Sequence, residues 1–471
     1  MTSYKNMEQI LQNINRNYIQ LKTEEVKHNN EILKSTLERM IEIMKALDPL
    51  FEIIYQKPFF GGSFYDDLKV GKPDEFKIDL VMVFSKIVCQ KHKTKKCGCV
   101  VAKPSNKPGF FWFKVNENFY QPLNKFIVDE YMRTDLILFW MQSLVTRALN
   151  LIRSECSSLY KADVEYKPPG HFSQSVSAIK LRLYGKFGHM NVDLVPAFKF
   201  GPDSWPEQGF RPNPSDKEHD FFIVPEKTSS ERYWRASFPC QERELLNNKQ
   251  RLKPALRLLK KMRNNLDHQI SSYALKTIVL LELDSGWFNW EDTLADTFMK
   301  LLKKYRDCLN EKKIPYYWNK RNNMLDCTND ETLTNHYNEI AKKIRKIDRE
   351  YMDDPFVIAK VILREGSEEY KEFRRKYGND VMEDESTTDS EGDDLPSYDR
   401  DRFSFSDSSS SDDLNMRSSY SGSNGRSGMN QATSSSDGGL TTGLALLGVG
   451  AAAVVALGVF GALRNNNRRN D

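Results

Sequence analysis

The stretch GGSFYDDLKVGKPDEFKIDLVMVF, residues 61–84, decides the fold. Gly61-Gly62-Ser63 is a turn that lets the backbone approach a phosphate closely and adds a hydroxyl donor. Eleven residues after the serine, Asp74-Glu75-Phe76-Lys77-Ile78-Asp79 opens a strand with alternating faces. Residues 75, 77 and 79 share one face by the two-residue period of a strand. Carboxylates on such a face can hold Mg²⁺, which activates a hydroxyl and neutralises a leaving pyrophosphate. A neighbouring strand would complete the set, and Asp193 in Asn191-Val192-Asp193-Leu194-Val195 is the candidate. Taken alone, a GGS turn beside a DEF tripeptide reads more simply as a solvated turn.

Working outward, residues 4–48 carry apolar side chains at helical spacing, from Ile10 and Ile14 to Ile43 and Leu47. They predict one long helix, with a break near His28-Asn29-Asn30. Strands are expected at 110–115, 176–185 and 189–198, with a helix over about 128–156. That mixture is α+β. Past Pro214 the pattern is almost wholly helical: 242–263, 271–285, 292–309, 329–350 and 354–376. From 379 to 439 the chain is rich in Ser, Asp and Gly, too polar to bury a core, and reads as a flexible linker.

Gly438 to Leu463 contains no charged residue, and 443–463 has the length that spans a bilayer. Gly448, Ala452 and Ala456 form a small-residue face. The expected organisation is a long N-terminal helix (1–48), a core (49–213), a helical lobe (214–378), a linker (379–439), a transmembrane helix (440–463) and a basic tail (464–471). A single-pass C-terminal anchor with a cytosol-facing body follows from it. A buried core helix or an unstructured Gly/Ala tail is the alternative.

The net charge of +4 hides a split. Residues 383–471 hold 14 acidic and 7 basic side chains, −7, and the other 382 residues hold 62 basic and 51 acidic, +11. Seven scattered cysteines and a polar N-terminus point to a reduced, intracellular body. Cys89, His92, Cys97 and Cys99 offer soft ligands for zinc, but the C-x-C spacing is unusual. Lys5, Arg16, Lys22, Lys27 and Lys34 of the first helix, with clusters at 91–96, 303–306, 312–313, 320–321 and 342–346, sum to an electrostatic, salt-sensitive nucleic-acid footprint. Any single cluster is explained as well by a solvated helical face.

The order GGSFYDD, PDEF, IDLVMVF, VDLVPAF, Tyr233-Trp234-Arg235-Ala236-Ser237-Phe238 with Glu242, LRLLKKM and SSYALKT resembles the cyclic GMP-AMP synthase-like receptors of the male-abnormal nucleotidyltransferase superfamily. The likeness covers roughly 50–300 and extends to about 378. It implies a bilobal nucleotidyltransferase core with a helical C-terminal lobe and the active site between them. Gly62 and Ser63 match the turn on the nucleotide phosphates; Glu75 and Asp193 match metal-binding, catalytic carboxylates for Mg²⁺, with Mn²⁺ as a substitute. Arg235, Ser237 and Glu242 match the pocket for the GTP base. Lys260, Ser272 and Lys276 match positions that grip ATP. Trp234 and Phe238 read as core.

One departure matters. The family has a second carboxylate two residues after the glutamate, where this chain has Lys77. Asp79 has the right chemistry, but at about 3.3 Å per residue it lies some 13 Å from Glu75, too far to share a metal unless the strand bulges. The resemblance implies a ligand-activated enzyme joining ATP and GTP into a cyclic dinucleotide in innate immune sensing. Arg243 to Pro254, where the vertebrate DNA sensor inserts a zinc thumb, has no Cys or His. That points to the invertebrate branch and to double-stranded RNA over DNA. The rival expectations are a catalytically weakened or silent membrane-tethered scaffold, and a developmental protein with the fold but no nucleotide product.

Overall fold

In β2 (Glu75–Met82), Phe76, Ile78, Leu80 and Met82 point to one side and are almost fully buried. Burying each such side chain stabilises by roughly 1.5–3 kcal/mol, which commits the strand to the middle of a sheet. The computed structural model describes residues 4–378 except 85–99, 106–109, 116–120, 156–161, 165–177, 207–208, 215–218, 227–231, 250 and 287–291. The described residues form one compact unit.

The chain begins with α1 (Glu8–Ile14), a wider turn at Asn15–Ile19, then α2 (Thr23–Leu47) and α3 (Pro49–Ile54). The break falls at Gln20–Lys22, earlier than expected, where Gln20 and Lys22 are extended. Tertiary anchors set it. Asn17 donates to the Tyr377 hydroxyl at 2.9 Å and Tyr18 packs edge-on against Phe373. Asn29 stays helical because its side chain donates to the Pro73 carbonyl, 2.8 Å away, instead of competing for its own helix.

Next come β1 (Tyr55–Gly61), the short α4 (Gly62–Tyr65), β2, β3 (Val100–Pro104), β4 (Phe110–Val115), β5 (Ile127–Val128), β6 (Tyr131–Met132), α5 (Thr134–Glu155), β7 (Ala162–Val164), β8 (Ile179–Gly185) and β9 (Gly188–Phe200). Two more strands lie beyond Pro214, β10 (Phe221–Pro225) and β11 (Trp234–Ser237). The sheet runs β1-β2-β9-β10-β11-β4-β6-β5, with β8 beside β9, β7 beside β8 and β3 beside β4. β2 and β9 are parallel; β1 and β8 flank them antiparallel. α2 and α5 pack together against β8, closing the core on one face.

The other face changes character along the strands. Lys77, Asp79 and Val81 of β2 lie beside Asp193, Val195 and Ala197 of β9. At one end this face is polar. At the other, Val81, Val195 and Ala197 join Phe222 and Val224 in a second apolar cluster.

The helical part is α6 (Pro239–Leu245), α7 (Leu252–Asn265), α8 (Ser272–Asp284), α9 (Leu294–Asn310), a hairpin of β12 (Pro315–Tyr316) and β13 (Asn319–Asn323), α10 (Asp330–Glu350), α11 (Val357–Ile362) and α12 (Glu368–Tyr377). α9 is central, with Phe298, Leu302 and Tyr305 buried against α7, α8 and α10.

The α+β architecture with a helical C-terminal region stands, but the membrane-spanning element of the expected fold does not. No helix of the described residues is long and apolar enough to cross a membrane. The stretch expected to span, 440–463, lies outside them, so the C-terminal transmembrane helix and the anchored location read from it are withdrawn. That reading leaned on length and hydropathy alone. Its 443–463 stretch contains Gly443, Gly448, Gly450, Gly458 and Gly461, and each glycine costs a helix about 1 kcal/mol relative to alanine. The expected zinc cluster at Cys89, His92, Cys97 and Cys99 and the basic cluster at 91–96 also lie outside the described residues.

Candidate active site

A cleft of about 710 Å³ opens on the polar end of the sheet. Its lining includes Gly62, Ser63, Glu75, Lys77 and Asp193, together with Lys180, Arg182, Tyr184 and Asn191. Strand register builds it. Gly61 lies opposite Lys77, Lys77 opposite Asp193, and Asp193 opposite Lys180, a single rung across four strands. The next rung outward is Glu75, Asn191 and Arg182. Residues in register project to the same side, so these groups converge without any loop having to place them.

The glycine turn packs directly on this rung. Gly62 has φ +81°, and a Cβ there would come within 3.1 Å of the Lys77 Cβ. Only glycine meets both demands without strain. Asn29 holds the chain two residues before Glu75 through the Pro73 carbonyl.

Asp79 does not reach the cleft. The β2–β9 register is unbroken from Glu75 to Met82, so the bulge that would bring it to Glu75 is absent. It is fully buried beneath Gly61, and the Lys77 ammonium sits 3.1 Å from its Oδ1. A buried carboxylate needs such a partner, and Lys77 supplies it. Glu75 is largely exposed and pairs with Lys69 at 2.6 Å; Lys69 also lies 3.1 Å from Asp74.

The remaining expected residues lie outside the lining of this cleft. Beneath the turn, Asp66 accepts from Arg243 of α6 at 3.1 Å and from Lys276 of α8 at 2.8 Å. Arg243 also donates to the Phe60 carbonyl at 2.9 Å. From α7, Arg257 donates to the Asp67 side chain at 2.8 Å and Lys260 to the Leu68 carbonyl at 2.5 Å. Burial disfavours the charged form of Asp66, but Lys276 and Arg243 more than offset it and hold the carboxyl below the usual range. Burial likewise opposes the Lys276 charge, and Glu242 and Asp66 outweigh it, raising its pKa. Burial pushes the Lys260 amine down to about 7, helped by nearby Arg263, Lys69 and Lys276.

Glu242 joins Lys276 at 2.8 Å and accepts from the Tyr273 hydroxyl at 2.5 Å and the Trp318 indole at 2.9 Å. Arg235 donates to Glu226 at 2.5 Å; Ser237, two residues on, faces Phe222 across the strand pair. Ser272 accepts from Arg263 at 2.7 Å at the start of α8. Trp234 and Phe238 are fully buried, as core residues should be.

Sequence reasoning missed Lys69, Asp66 and the Lys180–Arg182–Tyr184 strip. The strip had a signal: IKLRLYG alternates polar and apolar, and its polar side faces the cleft.

A glycine turn packed on a strand rung, with Glu75 and Asp193 on one face of adjacent strands and a helical region beyond, is the arrangement expected of a nucleotidyltransferase. The Mab-21 protein nucleotidyltransferase domain matches residues 64–248, and the Mab-21 protein HhH/H2TH-like domain matches 251–342. The chain is 37% identical over 385 residues to a cyclic GMP-AMP synthase-like receptor of Aethina tumida, covering 77% of this chain and 93% of that one. A Tribolium castaneum protein of the same description is 37% identical over 402 residues, 80% and 96% of the two chains. One from Nicrophorus vespilloides is 30% identical over 365 residues, 76% and 97%. The chain belongs to the cyclic GMP-AMP synthase-like receptors, and is a Mab-21 nucleotidyltransferase of innate immune sensing.

Proposed function

We propose that this protein joins ATP and GTP into a cyclic dinucleotide when it binds double-stranded RNA. The observation that carries this reading is the single cleft shared by Ser63, Glu75 and Asp193. Ser63 and the backbone at Gly62 would bind the triphosphate of the donor nucleotide. Asp193 would accept the proton of the attacking ribose hydroxyl.

The donor set suits a single Mg²⁺ or Mn²⁺. Two carboxylates on one face, with nucleotide phosphates added, are an ordinary Mg²⁺ environment. No cluster of three or more Asp, Glu, His or Cys able to hold a metal occurs among the described residues, and Lys77 stands where a third carboxylate would. Glu75 and Asp193 would hold the ion, which when bound offsets the charge of the leaving pyrophosphate.

Support for the RNA trigger is electrostatic. Lys27 and Arg16 of the N-terminal helices, with Lys320, Arg321, Lys342 and Arg345, are absent from the ion pairs among the described residues, whereas Lys22, Lys34, Lys304 and Lys346 are paired with carboxylates. A duplex read by backbone and shape requires no base-reading motif.

Incubating the protein with ATP, GTP, Mg²⁺ and either duplex RNA or duplex DNA, followed by mass spectrometry, tests the reading. A cyclic product formed only with RNA supports it. No product under any condition favours a second reading, a family member whose catalysis is weakened or lost; the Lys77–Asp79 ion pair is the observation behind it.

A further inference from the structure

We propose that the start of α10, residues 330–339, is an acid-released latch on the helical region: protonation of the stacked imidazoles of His268 and His336 lets it lift from the corner between α7 and α8. Neither histidine lines the cleft, and the latch does not depend on which nucleotides the cleft takes.

His268 lies in that corner with its side chain fully buried. Its Nε2 is 3.1 Å from the Glu339 carboxylate and its Nδ1 is 3.0 Å from the Tyr305 hydroxyl of α9. A carboxylate oxygen only accepts, so Nε2 carries the proton and Nδ1 accepts from the tyrosine. The neutral ring is therefore fully satisfied, and a second proton has to displace the Tyr305 O–H. His336 of α10 stacks on this ring, with centroids 3.8 Å apart and planes at 23°. Its buried Nε2 has no hydrogen-bond partner among the described residues. Two imidazolium rings at that separation repel each other.

The surroundings favour the neutral rings. Burial, His336 and Lys343 depress the His268 pKa from 6.5 to about 4 against the pull of Glu339, and burial lowers that of His336. Glu339 is 42% exposed and also lies 3.9 Å from Lys343, so its charge is partly spent on water and on that lysine. Lys343 in turn faces Lys346, Arg364 and Glu365, and the Tyr305 hydroxyl faces Arg263 and Cys308. Little else holds this stretch. Before Ile340 the buried apolar residue of α10 is Leu333, whereas Ile340, Ile344 and Ile347 anchor the later turns. Few buried contacts lower the free energy of local opening, so the start of α10 can open while its remainder stays docked.

Hydrogen exchange of the full-length protein, followed by mass spectrometry and corrected for intrinsic rates, tests the latch with α9 as the internal reference. A released His268 titrates at 6.5 and a latched one at about 4. Proton binding therefore favours the open form by about tenfold at about pH 5.5 and hardly at all at about pH 7.5. Protection over residues 330–339 should fall about tenfold or more relative to α9 between those two values. His268→Gln/His336→Phe keeps an amide donor for Glu339, a carbonyl for Tyr305 and a ring in the stack, and its protection should be the same at both. His336→Phe alone should show a smaller fall than wild type. Wild-type protection that is unchanged in acid, or lost equally over 330–339 and α9, overturns the latch whether or not the variants fold. An undiminished fall in either folded variant overturns it as well.

Discussion

Replacing Lys276 with methionine removes a buried charge and keeps most of the bulk. The ammonium lies 2.8 Å from both Asp66 and Glu242, and both carboxylates are buried. Asp66 would keep Arg243, and Glu242 would keep the Tyr273 hydroxyl and the Trp318 indole. Neither carboxylate is abandoned, so the cost belongs at the low end for breaking a buried pair, about 3 kcal/mol. For a folded body spanning 4–378 at ~2 cal/mol/K of unfolding entropy per residue, that is a fall of about 4 °C in Tm. Thermal melts of the full chain and of Lys276→Met measure it. Adding Asp66→Asn to Lys276→Met should deepen the fall, because Asp66 still pairs with Arg243 in the single variant. The pH dependence has a definite sign. Asp66 has a lowered folded pKa, so its stabilisation is present above the unfolded value of 3.8 and is lost as pH falls through the depressed one. A Tm drop under about 1 °C for Lys276→Met at neutral pH would refute the claim that this ion network clamps the turn.

Gly62→Ala forces a side chain into a left-handed backbone and against Lys77, and should cost about 1–2 kcal/mol in denaturant melts while weakening ATP binding in the same protein. Lys77→Asp alone strands buried Asp79, so the informative variant is Lys77→Asp/Asp79→Asn; it should raise turnover by about tenfold in a ligand-saturated assay, and no gain would remove Lys77 as the limit on catalysis. Lys260 has its pKa lowered from 10.5 to about 7, so between those values the unfolded chain binds the extra proton and stability rises with pH. Wild type should therefore gain on Lys260→Met as pH climbs from 7 towards 10, and a flat difference would contradict the buried, neutral amine.

The strands around the site were legible because their polar ends alternate: Phe76, Ile78, Val192 and Leu194 are buried, Lys77 is half-buried and Asp193 is exposed, while past Asp79 and Val195 both faces are buried. The Lys77 departure was visible for the same reason. The break in the N-terminal helix was misjudged because it is set by Tyr377 and Phe373, more than 350 residues away, and no local signal carries that. The strands at 221–225 and 234–237 were passed over as part of a helical region. Short apolar runs of this length do not distinguish strand from helix by periodicity. The partners of Asp66, at Arg243 and Lys276, are separated from it by 177 and 210 residues, so the clamp under the turn could not be read from spacing. The resemblance matched Lys260 and Lys276 to positions that grip ATP; in the structure their side-chain nitrogens hold the protein's own turn.

That turn is consequently a mechanical readout. Residues 60–68 are gripped by Arg243, Arg257, Lys260 and Lys276, which belong to three separate helices. None of the four lines the cleft, yet Ser63 at its mouth inherits its position from all of them. A shift of one helix against the sheet therefore reaches Ser63 through these salt bridges and hydrogen bonds, and something that presses on the helices can be felt in a cleft it never touches.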